Sequence, residues 1–437
     1  MLTTLKNAFK IKDIRSKILF TLAMVVVIRI GSQLPVPGVD RGYFARWFES
    51  QTGNAFNFFD AMTGGSFLNM SIFALNIGPY ITASIIMQLL TIAIPYLEEL
   101  QKDGEDGRKK IASMTRYATV ILSLLEAGTM AIGFGNQGLL IKYDALNVIC
   151  CMSALTAGSL FVMWIGERIT EKGIGNGISI VLVINIISRL PQDLKQLFNQ
   201  FVVGKAPATA ILSAVVIIGI IILMVVLVII LNAGTRKIPV QYAKKMQGRK
   251  MVGGHNSNIP LKINTAGVIP VIFAQSILQT PLVIASFVSS DSAGKGAEFL
   301  KYLNSSNWCD PDQLKYSVGL LVYMLLVVFF AYFYTSITFN PMLVADNLKK
   351  QGGFIPGIRP GKPTTEYLNK VLNYIIFIGA VGLLIICVLP FIFEGVFNAR
   401  VSFLGTSLII IVSVILETVK QLESQMLVRN YKGFLND

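Results

Sequence analysis

The chain has 437 residues, 53% of them hydrophobic and only 14% charged, with a mean hydropathy of +0.63. Soluble domains carry about 25% charged residues, so this composition excludes an ordinary soluble protein. The charges fall in short clusters between long apolar runs, as in a polytopic membrane protein, and they leave a net charge of +14.

A spanning helix needs roughly 20 mostly apolar residues to cross a hydrocarbon core ~30 Å thick. Ten such windows follow one another, at about 18–34, 76–95, 117–135, 146–166, 174–188, 209–231, 265–288, 316–339, 371–393 and 401–419. Basic residues precede the first, but it ends in RIGSQLPVPG without a small-x-small cleavage site, so it reads as a retained span. Between the first and second windows lies FFDAMTGGSFLNMS, Phe58 to Ser71. This stretch is too apolar for an ordinary loop and too interrupted to span. Gly64 and Gly65 cut it, and Asp60 and Asn69 pit its surface.

In NIGPYI, at the start of the second window, Ile77 and Ile81 stand one helical turn apart. Ile178 and Leu182 repeat the spacing in NGISIVL of the fifth, so each pair shares one helix face, about 6 Å apart along the axis. Spacing alone assigns such pairs to lipid or core. KGIGNGISI opens the fifth window with three glycines in five residues. It reads either as a tight flexible turn or as a helix starting close to a neighbouring backbone, with Asn176 supplying polar contacts. The sixth window, Ala208 to Leu231, contains no charge. Ionisable residues well inside windows are Arg29 and Glu126, with Glu417 near the end of the tenth. Burying such groups costs several kcal/mol; Arg29 is expected to pair within the bundle and Glu126 to face polar or hydrated surroundings.

The placement of the cations decides what the net charge means. Taking the windows as spans, 27 Lys and Arg lie on the amino-terminal side of the membrane and 10 on the other. The positive-inside rule then puts both termini in the cytoplasm. Two basic segments on that side exceed the 2–8 residues or so usual between packed helices: Arg236 to Lys262 and Asn347 to Tyr367. They suit either anchoring to anionic headgroups or docking of a large, partly anionic partner such as ribosomal RNA.

Enzymatic motifs are missing. GIRPGKPTT has three residues between its glycines, and Pro363 follows Lys362, so it fails as a phosphate-binding loop. There is no HExxH and no pair of intramembrane carboxylates spaced for acid–base work. Cys150, Cys151, Cys309 and Cys387 show no metal-ligand spacing, and His255 is the only histidine. No catalysis, cofactor or metal is expected.

Several motifs, taken in order, are collectively specific: RIGSQLPVPGVD, GGS followed by SIFALNIGPYITASIIMQLL, EDGRKKIASMTRY, GERITEKGIGNGISI, NTAGVIPVIFAQSIL, TFNPMLVADNLKKQGGFIPGIRPGKPT and FLGTSLII. From about Ile14 to the last window, the chain resembles the SecY family, the central subunits of the bacterial protein-conducting channel. The resemblance implies an all-α polytopic membrane protein of ten transmembrane helices, in two inverted five-helix halves, 1–190 and 191–437, around a central pore. Five being odd, the second half must start from the opposite side, as an inverted repeat requires.

The resemblance also implies a re-entrant plug at about 55–70. Phe59, Asp60, Met62, Gly64, Gly65 and Phe67 belong to it, loosely held, with Asp60 and Asn69 facing a hydrated funnel. A pore ring is implied at Ile77, Ile81, Ile178, Leu182, Ile272 and Ile410. A lateral gate is expected between spans two and three on one side and seven and eight on the other, lined by Gln88, Glu126 and Gln275. Cytosolic docking falls to Arg359, then Arg249 and Lys250, then Lys244 and Lys245. Implied partners are SecE, SecG, the ATPase SecA and the ribosome, besides the translocating polypeptide, its signal sequence and membrane lipid. The implied location is the bacterial cytoplasmic membrane. A secondary transporter for a small solute is the alternative.

Overall fold

Each of the ten apolar windows coincides with a helix. The computed structural model describes residues 9–40, 42, 60, 62–135, 138–242, 245–247, 250–252, 256–288, 301–304, 308–309, 314–397 and 406–433. Its principal helices are α1 (Lys12–Gly31), α2 (Gly78–Ala93), α3 (Pro95–Lys102), α4 (Glu105–Gly133), α5 (Ala145–Lys172) and α6 (Gly177–Phe201). They continue as α7 (Pro207–Ala233), α8 (Ile269–Val288), α9 (Val318–Thr338), α10 (Pro341–Lys350), α11 (Lys362–Phe397) and α12 (Thr406–Gly433). Among the described residues, five helical stretches are long and apolar enough to cross a membrane: Ala145–Lys172, Gly177–Phe201, Ala210–Ala233, Lys315–Lys350 and Lys362–Phe393. The α2–α3 pair qualifies as one broken span, bent by 101°. Pro95 at the start of α3 holds Ile94 extended (φ −112°, ψ 112°), because its ring disfavours the helical region for the preceding residue.

The outer surfaces confirm a bilayer as solvent. α7 leaves Ile211, Leu212, Val215, Ile218, Ile222 and Ile230 exposed, a contiguous apolar face that water would not tolerate. α1, α2, α4 and α5 pack together, as do α7, α8, α9 and α11, while α6 bridges the two sets by packing on α5, α7 and α12. Residue 190, the expected boundary between halves, lies within α6 next to Pro191; the connector to α7 spans 202–206.

The α5–α6 turn is built on close backbone approach. Gly175 adopts φ +79° and Asn176 caps α6, its Oδ1 accepting from the N–H groups of Ile178 and Ser179 at 3.1 and 3.4 Å. The Gly177 N–H donates to Thr170 Oγ1 at 2.9 Å, and the Ile174 N–H to Thr21 Oγ1 of α1 at 3.2 Å. A Cβ on Gly177 would lie 1.9 Å from the Gly166 carbonyl oxygen. Of the two readings of this motif, the close-approach one holds.

The two basic segments are not simple loops. β1 (Thr235–Tyr242) pairs antiparallel with β4 (Asn256–Lys262), from Thr235↔Lys262 to Gln241↔Asn256. β2 (Lys245–Gln247) and β3 (Lys250–Val252) form a short hairpin between them. β5 (Gly353–Phe354), from the second segment, joins the other edge of β1 through Gln241↔Phe354 and Tyr242↔Gly353. Ile238 and Val240 alternate inward along β1 and pack on Leu348 of α10 and Leu368 and Val371 of α11. Strand pairing thus makes one module of segments far apart in sequence.

Gly177→Ala is expected to destabilise the protein by about 1–3 kcal/mol, the usual cost of overpacking, seen as a lower Tm in detergent. Gly219→Ala, where a Cβ would meet nothing within 4 Å, should leave Tm unchanged or raise it, since glycine is a poor helix former.

Candidate pore, plug and cytosolic face

Ile77 caps the start of α2, and its carbonyl accepts the Ile81 N–H at 3.0 Å. Ile178 and Leu182 occupy the corresponding first turns of α6, and Ile410 lies near the start of α12. Ile77, Leu182 and Ile410 are buried, at 1%, 8% and 4% exposure, in a single apolar cluster against which Ile81 and Ile178 also pack. Gly166 of α5 lies against both pairs: a Cβ there would sit in ordinary van der Waals contact, 3.4 Å from Ile178 Cγ1 and 3.5 Å from Ile77 Cδ1. Ile272, on α8, is half-buried and outside this cluster; its neighbour Val268 packs against the cluster instead.

The broken segment between α1 and α2 is described at residue 60 and from residue 62 onward; Phe58 and Phe59 lie outside the described residues. Gly64 and Gly65 adopt φ +67° and +84°, which turns the chain, and Met62 packs on the collar cluster. The Met62 carbonyl accepts from Asn76 Nδ2 at 3.4 Å, and the Asn76 carbonyl from Ser159 Oγ of α5 at 2.8 Å. Gly64 is seated on α6: its carbonyl accepts from Ser188 Oγ at 3.4 Å, and a Cβ would lie 2.7 Å from the Asn185 carbonyl oxygen.

Two expectations for this segment need correction. Asp60 does not face a hydrated funnel: it is fully buried, paired with Arg189 of α6. Arg189 Nε also reaches Asp193 Oδ1 at 3.5 Å, while Asp60 Oδ1 accepts the Leu68 N–H at 2.9 Å. Nor is the segment loosely packed throughout. Phe67 and Met70 are buried at 8% and 0% in a cluster with Val36, Phe134 and Leu139. Asn69 is exposed, as its polarity demands. Arg189 and Asp193 were not singled out by the sequence, because the apolar window stops at 188 whereas the helix continues to Phe201. Their i, i+4 spacing was the available signal. Arg29 Nη1 donates to Asn185 Oδ1 at 3.4 Å, the pairing expected of it within the bundle.

A narrow apolar cleft separates α2 from the α8–α9 pair, lined by Ile85, Gln88 and Leu89, by Phe273, and by Phe330, Phe333, Tyr334 and Ile337. Phe273 and Phe330 stack across the α8–α9 contact at 5.1 Å between centroids. Of the three polar residues expected at this seam, only Gln88 lines the cleft. Gln275 is half-buried on α8, and its Oε1 has no hydrogen-bond partner among the described residues. Glu126 stands half-buried on α4, between exposed Leu125 and buried Ala127.

On the basic face Arg359 is exposed on an ordered turn. Its carbonyl accepts from Thr364 Oγ1 at 2.8 Å, and Gly357 and Gly361 on either side adopt φ +83° and +105°. Lys245 and Lys250 lie on β2 and β3. Lys244 and Arg249 lie outside the described residues.

Comparison with known proteins agrees with this architecture. The SecY family model matches residues 71–419. The SecY protein translocase subunit of Streptomyces galbus is 44% identical over the full length of both chains, and that of Corynebacterium glutamicum 42% identical over 98% of this chain and 99% of its own. Among solved structures, a protein-conducting channel superposes with a TM-score of 0.62 at 18% identity, covering 94% of this chain and 92% of its own. Sec61 from the canine ribosome–channel complex superposes with a TM-score of 0.60 at 16% identity, covering 94% of this chain and 92% of its own. At those identities the superpositions speak to the fold, and the full-length relatives to the family: the chain belongs to the SecY family of protein translocase subunits.

Proposed function

We propose that this chain forms a gated, protein-conducting channel that passes unfolded polypeptides across the bacterial cytoplasmic membrane and releases hydrophobic segments sideways into it. The convergence of Ile77, Ile81, Ile178, Leu182 and Ile410 from three helices, with Met62 of the broken segment seated on them, carries this reading. A thin aliphatic collar gates by dewetting, since water and ions are poorly held in a narrow hydrocarbon constriction. Branched side chains can still yield around a passing chain. Ile272, half-buried on α8 beyond Val268, is assigned to the same ring as its sixth member. The chain supplies no catalysis; the driving energy comes from a partner.

In this reading all ten apolar helices span the membrane, with five in each half, both termini cytoplasmic, and the segment at about 55–70 forming the plug. The cleft between α2 and the α8–α9 pair is the lateral exit. A signal segment leaves there because its apolar surface prefers lipid, by about 25 cal/mol per Å². Gln88 at the cleft and Gln275 behind it tune the ease of parting. Glu126 serves instead on the outer face of α4, as a polar contact for a neighbouring chain or headgroup. SecE and SecG complete the assembly, and the module carrying Arg359, with Lys244, Lys245, Arg249 and Lys250 beside it, receives SecA or the ribosome. An aliphatic collar gives a small solute nothing to coordinate, so the carrier alternative is set aside.

Replacing Ile77, Ile81, Ile178 and Leu182 together with Ser is expected to raise the resting ion flux of reconstituted channels by an order of magnitude or more. An unchanged flux would refute the collar. Arg359→Glu should abolish most SecA-driven export in inverted vesicles while the variant still accumulates in the membrane; export at the wild-type rate would exclude the turn as the docking point.

A further inference from the structure

The collar accounts for a seal, but not for what holds the broken segment against it. Apart from Met62 in the apolar cluster, the contacts between that segment and α6 are polar. Asp60 and Arg189 form an ion pair in which the carboxylate is fully buried and the guanidinium side chain is 15% exposed. Gly64 rests on the backbone at Asn185 and on Ser188 Oγ. Asn185, Ser188, Arg189 and Asp193 occupy successive turns on one side of α6, making a polar rail inside an otherwise apolar bundle.

We propose that Asp60, Arg189 and Asp193 form a splittable electrostatic latch that sets how readily the channel opens. The proposal rests on reading the segment at about 55–70 as the plug. A buried ion pair is a poor choice for stability alone, because well-packed apolar residues commonly do as well. Its advantage here lies in how it divides. Asp60 keeps a donor from its own segment, the Leu68 N–H at 2.9 Å. Arg189 keeps a carboxylate from its own helix, Asp193 at 3.5 Å. When the segment leaves, the pair separates between these two halves, and neither charge is stranded. Each carries its fallback partner into the opened, hydrated pore. The closed state gains a specific contact that has to be broken, and the open state is spared the penalty of an orphaned charge. The latch therefore adds to the opening threshold without trapping the channel shut.

The test is resting ion flux through the full chain in its native assembly, reconstituted into proteoliposomes. Asp60→Asn and Arg189→Gln should each raise it about tenfold or more, since the charged contact that opening has to break is gone while the remaining group keeps its fallback partner. Arg189→Lys, which keeps a cation between Asp60 and Asp193, should leave the flux near the wild-type level. It also serves as the deciding variant if a neutral substitution fails to fold: flux through Arg189→Lys as high as through a latchless channel overturns the proposal. A chain lacking residues 62–68 separates the two claims. If it leaks while Asp60→Asn stays tight, the latch is wrong and the plug stands. If neither leaks, both fall.

Discussion

An interrupted helix in apolar surroundings must find a partner for each peptide group that its break exposes. Non-helical backbone is tolerated at membrane depth only where protein or a wet cavity satisfies it, and this chain places its functional residues at such breaks. The Val36 N–H donates to the Met70 carbonyl and the Ile72 N–H to the Leu34 carbonyl, stitching the exit of α1 to the entry of α2. Ser159 Oγ satisfies the Asn76 carbonyl just before Ile77. Thr170 Oγ1 receives the Gly177 N–H just before Ile178. Both isoleucine pairs thus stand in the first turns of helices whose starts are fixed by hydrogen bonds from α5. α5 is the post against which the collar is set, and Gly166 is where the collar touches it.

In the proposed channel, seal and hold are separate tasks given to different chemistry. Apolar packing is non-directional and roughly proportional to area, so side chains contributed by α2, α6 and α12 can close a pore and still yield to a chain of any sequence. Such a contact has little geometric specificity. The ion pair of Asp60 and Arg189 has it: it engages only when the broken segment is seated in one place on α6. Gly64, held against the Asn185 carbonyl, fixes that place, since any side chain there would lift the segment away. Phe67 and Met70, packed among Val36, Phe134 and Leu139, anchor the far end of the segment.

Much of the architecture was legible because hydropathy over twenty residues is a strong signal and every apolar window holds a helix. The glycine-rich entry to α6 was half-readable: three glycines beside Asn176 left a flexible turn and a close approach both open, and the contact of Gly177 with the Gly166 carbonyl decides between them. The cytosolic strands were missed for a different reason. Ile238 and Val240 alternate in RKIPVQY, but two apolar residues among cations look like a loop until a partner strand is in view, and β5 lies beyond two further helices. The Asp60 partnership was hidden by the same kind of distance. A hydropathy window ends where charge begins, so it stopped before Arg189. The helix did not, because Arg189 and Asp193 neutralise one another one turn apart and remain buried. Ile272 shows the converse limit: a resemblance supplies a role for a position, but whether that side chain reaches the cluster depends on how the α8 side sits against α6.

That dependence connects the cytosolic module to the pore. β1 leads directly out of α7, whose last turn packs against α11 through Leu231 and Gly382, and β4 leads through Asn264 to α8. Asn264 Nδ2 donates to Asn232 Oδ1 at 3.0 Å, tying the end of α7 to the approach to α8. The turn bearing Arg359 runs into α11, and β5 clips that turn to β1. A force applied at Arg359 is therefore delivered to α7, α8 and α11 together, through strand pairing and a buried amide pair, not through a flexible linker. Those helices lie on the α8–α9 side of the cleft, across from α2. In the proposed channel, a partner that tilts the module would move one wall of the lateral exit against the other. Since α6 carries the polar rail and packs on α7, the same tilt also bears on the seat of Asp60.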